Sequence, residues 1–374
     1  MKILQFGKFY PPVFGGIENV MYEITTGLNS KSDIECDVLC SNDNNSFLIT
    51  KVSDYKIIRT KSYGKYFSTS LSPQLITKLR EIQSNYDIIN VHFPDPMAAI
   101  ALYVVRPKAK IVIHWHSDII KQRLLLKLFY PLQSWVVNRA DLVLGATKTH
   151  IAGSDEYSRI KKKSKIIPYP FDSSALKENI NNTLLKTLQQ KFSNKAVIFS
   201  IGRLVYYKGF EYLIEAALNL NDSHVILIAG DGPLKKELQD QINKNNLNGK
   251  VILLGSIPYK DLSAYYQLCN IFCLPSIFRS EMFGIVQLEA MSFGKPVIST
   301  KLDRSGVCNV NVNGETGMCV EIKSPIQISS AVKDIMRYKY ELYSSNCIKR
   351  VEAVYKKEIV IDNIIDAYND LLND

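Results

Sequence analysis

The stretch Ile271-Phe272-Cys273-Leu274-Pro275-Ser276-Ile277-Phe278-Arg279-Ser280-Glu281-Met282-Phe283-Gly284-Ile285-Val286-Gln287-Leu288-Glu289-Ala290-Met291 changes its hydrophobic period half-way along. Ile271 to Leu274 is a continuous apolar run, as in a buried strand, whereas Ile285, Leu288 and Met291 recur at helical spacing. The middle is therefore a strand-to-helix turn, with Glu281 in the loop, Gly284 at the turn and Glu289 expected in the second turn of the helix. A helix N-terminus presents unpaired N–H groups and the positive end of its dipole, so it attracts phosphate. A carboxylate beside a phosphate repels it and is useful there mainly as an acceptor from hydroxyls. A ligand with both phosphates and many hydroxyls is a sugar nucleotide. Two surface glutamates on a solvated helix satisfy the same spacing, and this stretch alone leaves both alternatives open.

On either side the same strand-loop-helix unit recurs. Strands are expected at 2–6, 36–40, 55–59, 87–92, 110–114, 141–146 and 165–167, then at 196–201, 225–229, 251–254, 271–274 and 296–300. Helical patterns lie between several of them, including after Gly209, Pro233, Lys260 and Gly284. Such alternation predicts an α/β chain of two tandem, doubly wound halves with mostly parallel sheets. The polar segment 172–193 is the expected linker. Residues 326–374 are expected to be mostly helical, and their last helix carries Ile361, Ile364, Ile365, Tyr368, Leu371 and Leu372 on one stripe that must pack on something.

With 374 residues the chain fits two domains of ordinary size, and 46% hydrophobic with 22% charged residues is ordinary for a globular protein. The longest apolar run, 97–105, is far too short to span a bilayer, and the N-terminus is expected to be a first strand rather than a signal peptide. These features predict a cytoplasmic protein. Seven cysteines without C-x-x-C spacing or a histidine companion are expected to be buried free thiols. A net charge of +10, from 46 basic against 36 acidic residues, points to an anionic partner.

Arg203 and Lys208 lie in a glycine-bounded loop after the strand 196–201, where an Arg fork and a Lys point charge suit a diphosphate. Ala229-Gly230-Asp231-Gly232-Pro233 is a second strand-end glycine turn, with Pro233 expected at the first helical position. Gly15-Gly16 after the first strand allows close approach by a ligand, and a plain tight turn explains it equally well. His92, His114 and His116 fall at strand ends near Asp95 and Asp118. A hydrogen-bonding or acid/base role in a cleft is preferred there to a metal site, no metal is expected, and a satisfied structural histidine is the competing reading for His92 and His114. The span 119–140 mixes Lys121, Arg123, Lys127 and Arg139 with many apolar residues around Pro131, and Lys161-Lys162-Lys163 adds charge. An interfacial helix on anionic lipid and a packed domain helix kinked at its proline both fit. No nucleic-acid motif is present, so that partner is not expected.

Taken together, Gly15-Gly16-Ile17-Glu18, Gly202-Arg203-Leu204 with Lys208-Gly209, Ala229-Gly230-Asp231-Gly232-Pro233-Leu234, and Ser280-Glu281-Met282-Phe283-Gly284-Ile285-Val286 to Glu289-Ala290 resemble the family 4 retaining glycosyltransferases of the GT-B fold. The resemblance runs from residue 1 to about 370. It implies two Rossmann-like domains facing across a cleft: an acceptor-binding domain, 1–172, joined by a C-terminal helix at about 356–374, and a nucleotide-sugar-binding domain, 173–355. It implies that Arg203 and Lys208 neutralise the diphosphate and Glu289 accepts from the ribose. Glu281 would bind donor-sugar hydroxyls, the amides of Phe283, Gly284 and Ile285 would meet a phosphate, Gly15-Gly16 would form the opposing wall and His116 would contact the donor sugar. The motifs around His92 and His116 look like those of bacterial enzymes building O-antigen, often mannosyltransferases.

The implied activity is transfer of a hexose, such as mannose from GDP-mannose, to a lipid-linked saccharide. No cofactor is implied, and the implied place is the inner face of the cytoplasmic membrane, reached through about 119–139. A GT-B nucleotide-sugar epimerase and a non-catalytic nucleotide-sugar-binding subunit are the rival functions. Ile167-Pro168-Tyr169-Pro170-Phe171-Asp172 departs from the family, which commonly has asparagine-glycine after the proline.

Overall fold

The computed structural model describes the chain except residues 14, 67–68, 119–122, 179 and 374, and the side chains of 123–128. It divides into two compact units, Met1–Phe171 with Tyr355–Asp374, and Asp172–Val354.

The first unit contains β1 (Lys2–Phe6), β2 (Glu35–Ser41), β3 (Leu48–Val52), β4 (Tyr55–Thr60), a small ribbon of β5 (Lys65–Tyr66) and β6 (Thr69–Ser70), then β7 (Ile88–Phe93), β8 (Lys110–Trp115), β9 (Leu142–Gly145) and β10 (Ser164–Ile166). Eight of these form one sheet in the order β10-β9-β8-β7-β1-β2-β4-β3. Every pairing is parallel except the hairpin that adds β3 to β4. Strand order reverses between β1 and β7, which is where an open α/β sheet leaves a crevice at its carboxyl edge. β3 is an addition to the expected strands: its burial pattern is almost wholly exposed, so hairpin pairing rather than core packing makes it a strand.

In the second unit β11 (Ala196–Ile201), β12 (His224–Ala229), β13 (Val251–Gly255), β14 (Ile271–Leu274), β15 (Val297–Thr300) and β16 (Gly317–Val320) form a parallel sheet, ordered β13-β12-β11-β14-β15-β16. Its order reverses between β11 and β14. β16 was not among the expected strands. It begins with Gly317, where any Cβ would lie 1.8 Å from the Val297 carbonyl oxygen.

The expected linker is not a free segment. Ser174–Glu178 and Asn182–Lys191 are helices, and both pack on the helix Tyr259–Leu268 of the second unit. At the other end, the helix Lys357–Asn373 buries Val360, Ile361, Ile364, Ala367, Tyr368 and Leu371, and packs on the helix Gly16–Leu28. Gly27 makes that approach possible, since a Cβ there would meet Ile361 at 2.4 Å. Of the expected stripe, Leu372 alone is exposed. Among the described residues, no helix is long and apolar enough to cross a membrane. All seven cysteines are free thiols, and only Cys308 is not fully buried.

Candidate functional site

In the second unit, loops leaving the carboxyl ends of β11, β12, β13 and β14 are stitched together through backbone contacts that only glycine allows. Gly230 has φ +129°, and a Cβ there would lie 1.9 Å from the Gly202 carbonyl oxygen. The Gly230 amide donates to Gly255 at 2.8 Å, and the Leu204 amide donates to Asp231 at 2.9 Å. Gly209 has φ +65° with the Pro275 carbonyl oxygen 2.3 Å from where its Cβ would be, and the Ile277 amide donates to Tyr207 at 2.8 Å. The β11 and β14 loops therefore meet across the point where strand order reverses.

That meeting brings Lys208 to Glu281. Lys208 Nζ donates to Glu281 Oε2 at 2.5 Å, and the Ser276 hydroxyl donates to the same oxygen at 3.1 Å. The two side chains are only 11% and 12% exposed. Burial alone would lower the Lys208 pKa, but the Glu281 charge and hydrogen bond outweigh it and the net direction is upward. Lys208 is thus a cation at any neutral pH. Gly202 clears the space it lies in, with Lys208 Cε 3.2 Å from the position a Cβ would take. The backbone of Glu281 is itself fixed, because the Ser305 hydroxyl donates to its carbonyl at 2.6 Å and the Gly306 amide donates to Met282 at 2.8 Å.

Gly284 turns the chain at φ +70° into the helix Val286–Ser292. Gln287, buried beneath the turn, donates to the Phe283 carbonyl at 2.9 Å. Glu289 lies in the first turn of this helix, not the expected second, because the helix begins two residues after Gly284. Its Oε2 accepts from the Tyr266 hydroxyl at 2.5 Å. Burial pushes the Glu289 carboxyl above its ordinary range, against the lowering effect of Tyr266. Both glutamates are thus anchored through Oε2. Arg203 is exposed beside them, and among the described residues it has no ion-pair partner. Pro233 is not the first helical residue. It sits in the turn before the helix Lys235–Lys244, because Gly232 and Leu234 are held against Leu204.

In the first unit His92, His114 and His116 stack, with ring centroids 5.1–5.4 Å apart. His92 Nδ1 and His116 Nε2 share a hydrogen bond of 2.9 Å. His92 Nε2 reaches Gln5 at 2.9 Å and His116 Nδ1 reaches the Tyr169 hydroxyl at 2.8 Å. Burial, then neighbouring histidines, holds His92 and His116 well below the usual pKa, so these rings are neutral. Tyr169, which departs from the family pattern, is therefore the residue that orients His116. Asp95 caps the helix Pro96–Val105 through the Met97 amide, and Asp118 accepts from Ser154 and the Asp155 amide. Among the described residues no group of three or more His, Cys, Asp or Glu side chains is placed to hold a metal ion. Gly15 is the extended N-cap residue of the helix Gly16–Leu28, and a Cβ on Gly16 would meet nothing within 4 Å.

Two family models match in tandem: Glycosyltransferase Family 4 over residues 14–174 and Glycosyl transferases group 1 over residues 183–352. The O-antigen chain mannosyltransferase C of Escherichia coli is 27% identical over 375 residues, covering 100% of this chain and 99% of that one. The D-rhamnosyltransferase WbpZ of Pseudomonas aeruginosa is 30% identical over 342 residues, 91% of this chain and 87% of that one. The chain belongs to the family 4 glycosyltransferases. The crystal structure of Anabaena HepE in complex with UDP matches the glycosyltransferase with a TM-score of 0.76 at 20% identity, over 99% of this chain and 100% of that one, and the fold is GT-B.

Of the predicted residues, the structure of the glycosyltransferase joins Lys208 directly to Glu281 and sets Arg203, Phe283, Gly284, Ile285 and Glu289 on the loops and helix around that pair. His116, Gly15 and Gly16 belong to the first unit. Tyr266, Ser276, Ser305, Gln5 and Tyr169 were missed, because a lone tyrosine, serine or glutamine carries no spacing signal. The helix Arg123–Arg139 runs through Pro131 without a break. Val136 and Val137 are in the core, with Phe129, Leu132 and Trp135 packed on it, so its described half is a domain helix. Two of the basic residues there are structural. Lys163 caps the helix end by donating to the Val137, Asn138 and Ala140 carbonyls at 2.5, 3.3 and 2.7 Å, and Arg139 donates to Asp141 and to the Pro107 and Ala109 carbonyls.

Proposed function

We propose that this glycosyltransferase moves a hexose from a nucleoside diphosphate sugar to a lipid-linked saccharide, with retention, in the synthesis of a bacterial surface polysaccharide; GDP-mannose is the first donor to test. The observation that carries the proposal is the buried Lys208–Glu281 pair at the strand-order reversal of the second sheet, beside Arg203 and Glu289. Lys208 and Arg203 neutralise the diphosphate as the bond from sugar C1 to phosphate oxygen breaks, which is where negative charge develops. Glu281 Oε1 accepts from the donor sugar and Glu289 Oε1 from the ribose. Amides at Phe283, Gly284 and Ile285 meet the sugar-side phosphate. The acceptor hydroxyl bonds to C1 on the face that the diphosphate leaves, and its proton passes to a phosphate oxygen. Both ring nitrogens of His116 are already engaged, by His92 and by Tyr169, which leaves this neutral ring no hydrogen bond for the donor sugar. Support for the surface-polysaccharide role comes from the full-length likeness to the O-antigen chain mannosyltransferase.

A donor that binds only the native state raises its apparent stability. Thermal unfolding with GDP-mannose and with UDP, ADP and dTDP sugars is expected to single out one donor, and mass spectrometry is expected to find its sugar on a lipid-linked acceptor. A free epimerised sugar as the product, or full transfer by a Lys208→Ala, Glu281→Ala double variant, would refute the assignment. Association with an anionic membrane through the span of about 119–139 is part of the same proposal, although Phe129, Leu132, Trp135, Val136 and Val137 within it pack in the core.

A further inference from the structure

Two of the seven thiols share one hydroxyl. Ser299 in β15 stands opposite Cys319 in β16, and its Oγ lies 3.6 Å from Cys319 Sγ and 4.0 Å from Cys308 Sγ. Cys308 comes from the four-residue helix Val307–Val310, which packs on β15. Each thiol also donates to a carbonyl, Cys308 to Thr300 at 3.5 Å and Cys319 to Asn311 at 3.3 Å.

The pair differs chemically from the other five cysteines. Burial pushes the thiols of Cys36, Cys40, Cys269, Cys273 and Cys347 up. A hydrogen bond between Cys308 and Cys319 moves these two apart instead, Cys308 up and Cys319 down, with burial opposing the change at Cys319. Cys319 is therefore the one thiol of the seven that ionises more readily than usual, and the thiolate is the nucleophile. Cys308 is the one that is not fully buried, so a small oxidant can reach the pair.

The same short helix is tied to the Lys208–Glu281 site. Ser305 and Gly306, the two residues before it, donate to the Glu281 and Met282 carbonyls at 2.6 and 2.8 Å. Thr300, whose carbonyl accepts from Cys308, donates through its hydroxyl to the Ser276 carbonyl, and the Ser276 hydroxyl donates to Glu281 Oε2.

We propose that Cys308 and Cys319 form a redox-modification site, at which a peroxide joins them in a disulfide that disturbs the hold on Glu281 and weakens donor binding. The Cys319 thiolate attacks one peroxide oxygen. The O–O bond breaks, Cys319 becomes a sulfenic acid, and the departing hydroxide takes up the proton that Cys319 lost. The Cys308 sulfur then attacks the Cys319 sulfur, the S–O bond breaks, and water leaves with the Cys308 proton. Two thiols have lost two electrons and two protons, and hydrogen peroxide has become two waters. The new bond brings the sulfurs to about 2 Å. β16 is held to β15 by four consecutive residue pairs, so the short helix is the part that yields, and Ser305 and Gly306 move with it. The effect on donor binding rests on the proposed function, whereas the disulfide itself does not.

The test treats the full chain with hydrogen peroxide, blocks the remaining thiols with iodoacetamide after unfolding, and digests it with trypsin. The peptide Ser305–Lys323 holds both cysteines and no others. It is expected two hydrogens lighter than its dithiol form and free of alkylation, and dithiothreitol should reverse this. Hydrogen exchange at residues 277–284 is expected to quicken on oxidation. The concentration of sugar nucleotide that half-stabilises the chain, measured with GDP-mannose and with UDP, ADP and dTDP sugars, should rise about fivefold or more. Cys308→Ser, a small change at a partly exposed position, is expected to lose all three responses to peroxide. Alkylation of both cysteines after peroxide, unchanged exchange at 277–284, or an equal response in Cys308→Ser would overturn the proposal. A chain that forms the disulfide and quickens exchange, yet in its reduced form responds to no sugar nucleotide, would support the redox pair and sink the proposed function.

Discussion

Lys208 Nζ and Glu281 Oε2 are 2.5 Å apart although 73 positions separate the residues in sequence. A buried charge left without its partner is strongly destabilising, whereas replacing both partners by apolar groups is often neutral. Lys208→Met and Glu281→Leu are each expected to cost about 3–5 kcal/mol in urea unfolding, and the double variant clearly less than their sum. All three are expected to lose transfer. Strictly additive stability losses would show that the pair is not coupled.

Gly230→Ala is expected to damage the site without touching any predicted ligand contact. Its Cβ would fall 1.9 Å from the Gly202 carbonyl oxygen, and φ +129° is a conformation that L side chains rarely adopt. The β11 loop that carries Arg203 and Lys208 must then move. Thermal unfolding should shift down by several degrees, and nucleotide stabilisation should fall further than the midpoint does. An unchanged midpoint would show that the loops can separate at no cost.

Glu289 supplies a pH signature. Its carboxyl is raised by burial and lowered by the Tyr266 hydrogen bond. Because only the ionised carboxylate is a pure acceptor, nucleotide affinity is expected to weaken on acidification, with a midpoint above the ordinary 4.5. Tyr266→Phe removes the opposing hydrogen bond and should move that midpoint to higher pH. Titration calorimetry from pH 4 to 8 measures it, and a midpoint unmoved or displaced downward in Tyr266→Phe would contradict the assignment.

The histidine stack makes the first unit sensitive to acid. Burial lowers all of His92, His114, His116 and His150, with His114 pushed down to about 3 and His150 to about 4. A group with a depressed folded pKa binds its proton more readily when unfolded. Stability is therefore full above about pH 6.5 and falls as pH drops below it, by up to roughly 1.4 kcal/mol per pH unit for each histidine. Urea midpoints for the first unit should fall between pH 7 and pH 5, and equal midpoints would mean that the histidines are not buried neutral.

Much of this architecture was legible because apolar runs in parallel strands are nearly continuous. The expected strands at 2–6, 196–201 and 271–274 coincide with β1, β11 and β14, and most others differ by one or two residues at an end. β3 and β16 were illegible for physical reasons. The first is an exposed edge strand defined by its hairpin, and the second starts on a glycine chosen for close approach. Within the site, the cations, the glutamates and the glycines have spacing signals. Tyr266 under Glu289 and Tyr169 under His116 do not, because those contacts exist only once separate elements are folded together. One sequence signal misled: the lysines at 161–163 read as surface charge, yet Lys163 is a helix cap.

That cap separates folding from membrane binding. Lys163 holds three carbonyls at the end of the helix Arg123–Arg139, and burial lowers its pKa. Lys163→Ala is expected to cost about 1 kcal/mol, since the part-buried Val137 and Ala140 carbonyls lose their donor, while leaving vesicle binding nearly unchanged. Phe129→Glu would report on the core rather than on lipid, because Phe129 packs against it. Leu125→Glu is the informative change, expected to reduce flotation with phosphatidylglycerol vesicles severalfold, with the thermal midpoint measured on the same sample to separate lipid binding from folding. Unchanged flotation of Leu125→Glu, or a loss of flotation in Lys163→Ala as large as its loss of stability, would remove the membrane role from this helix.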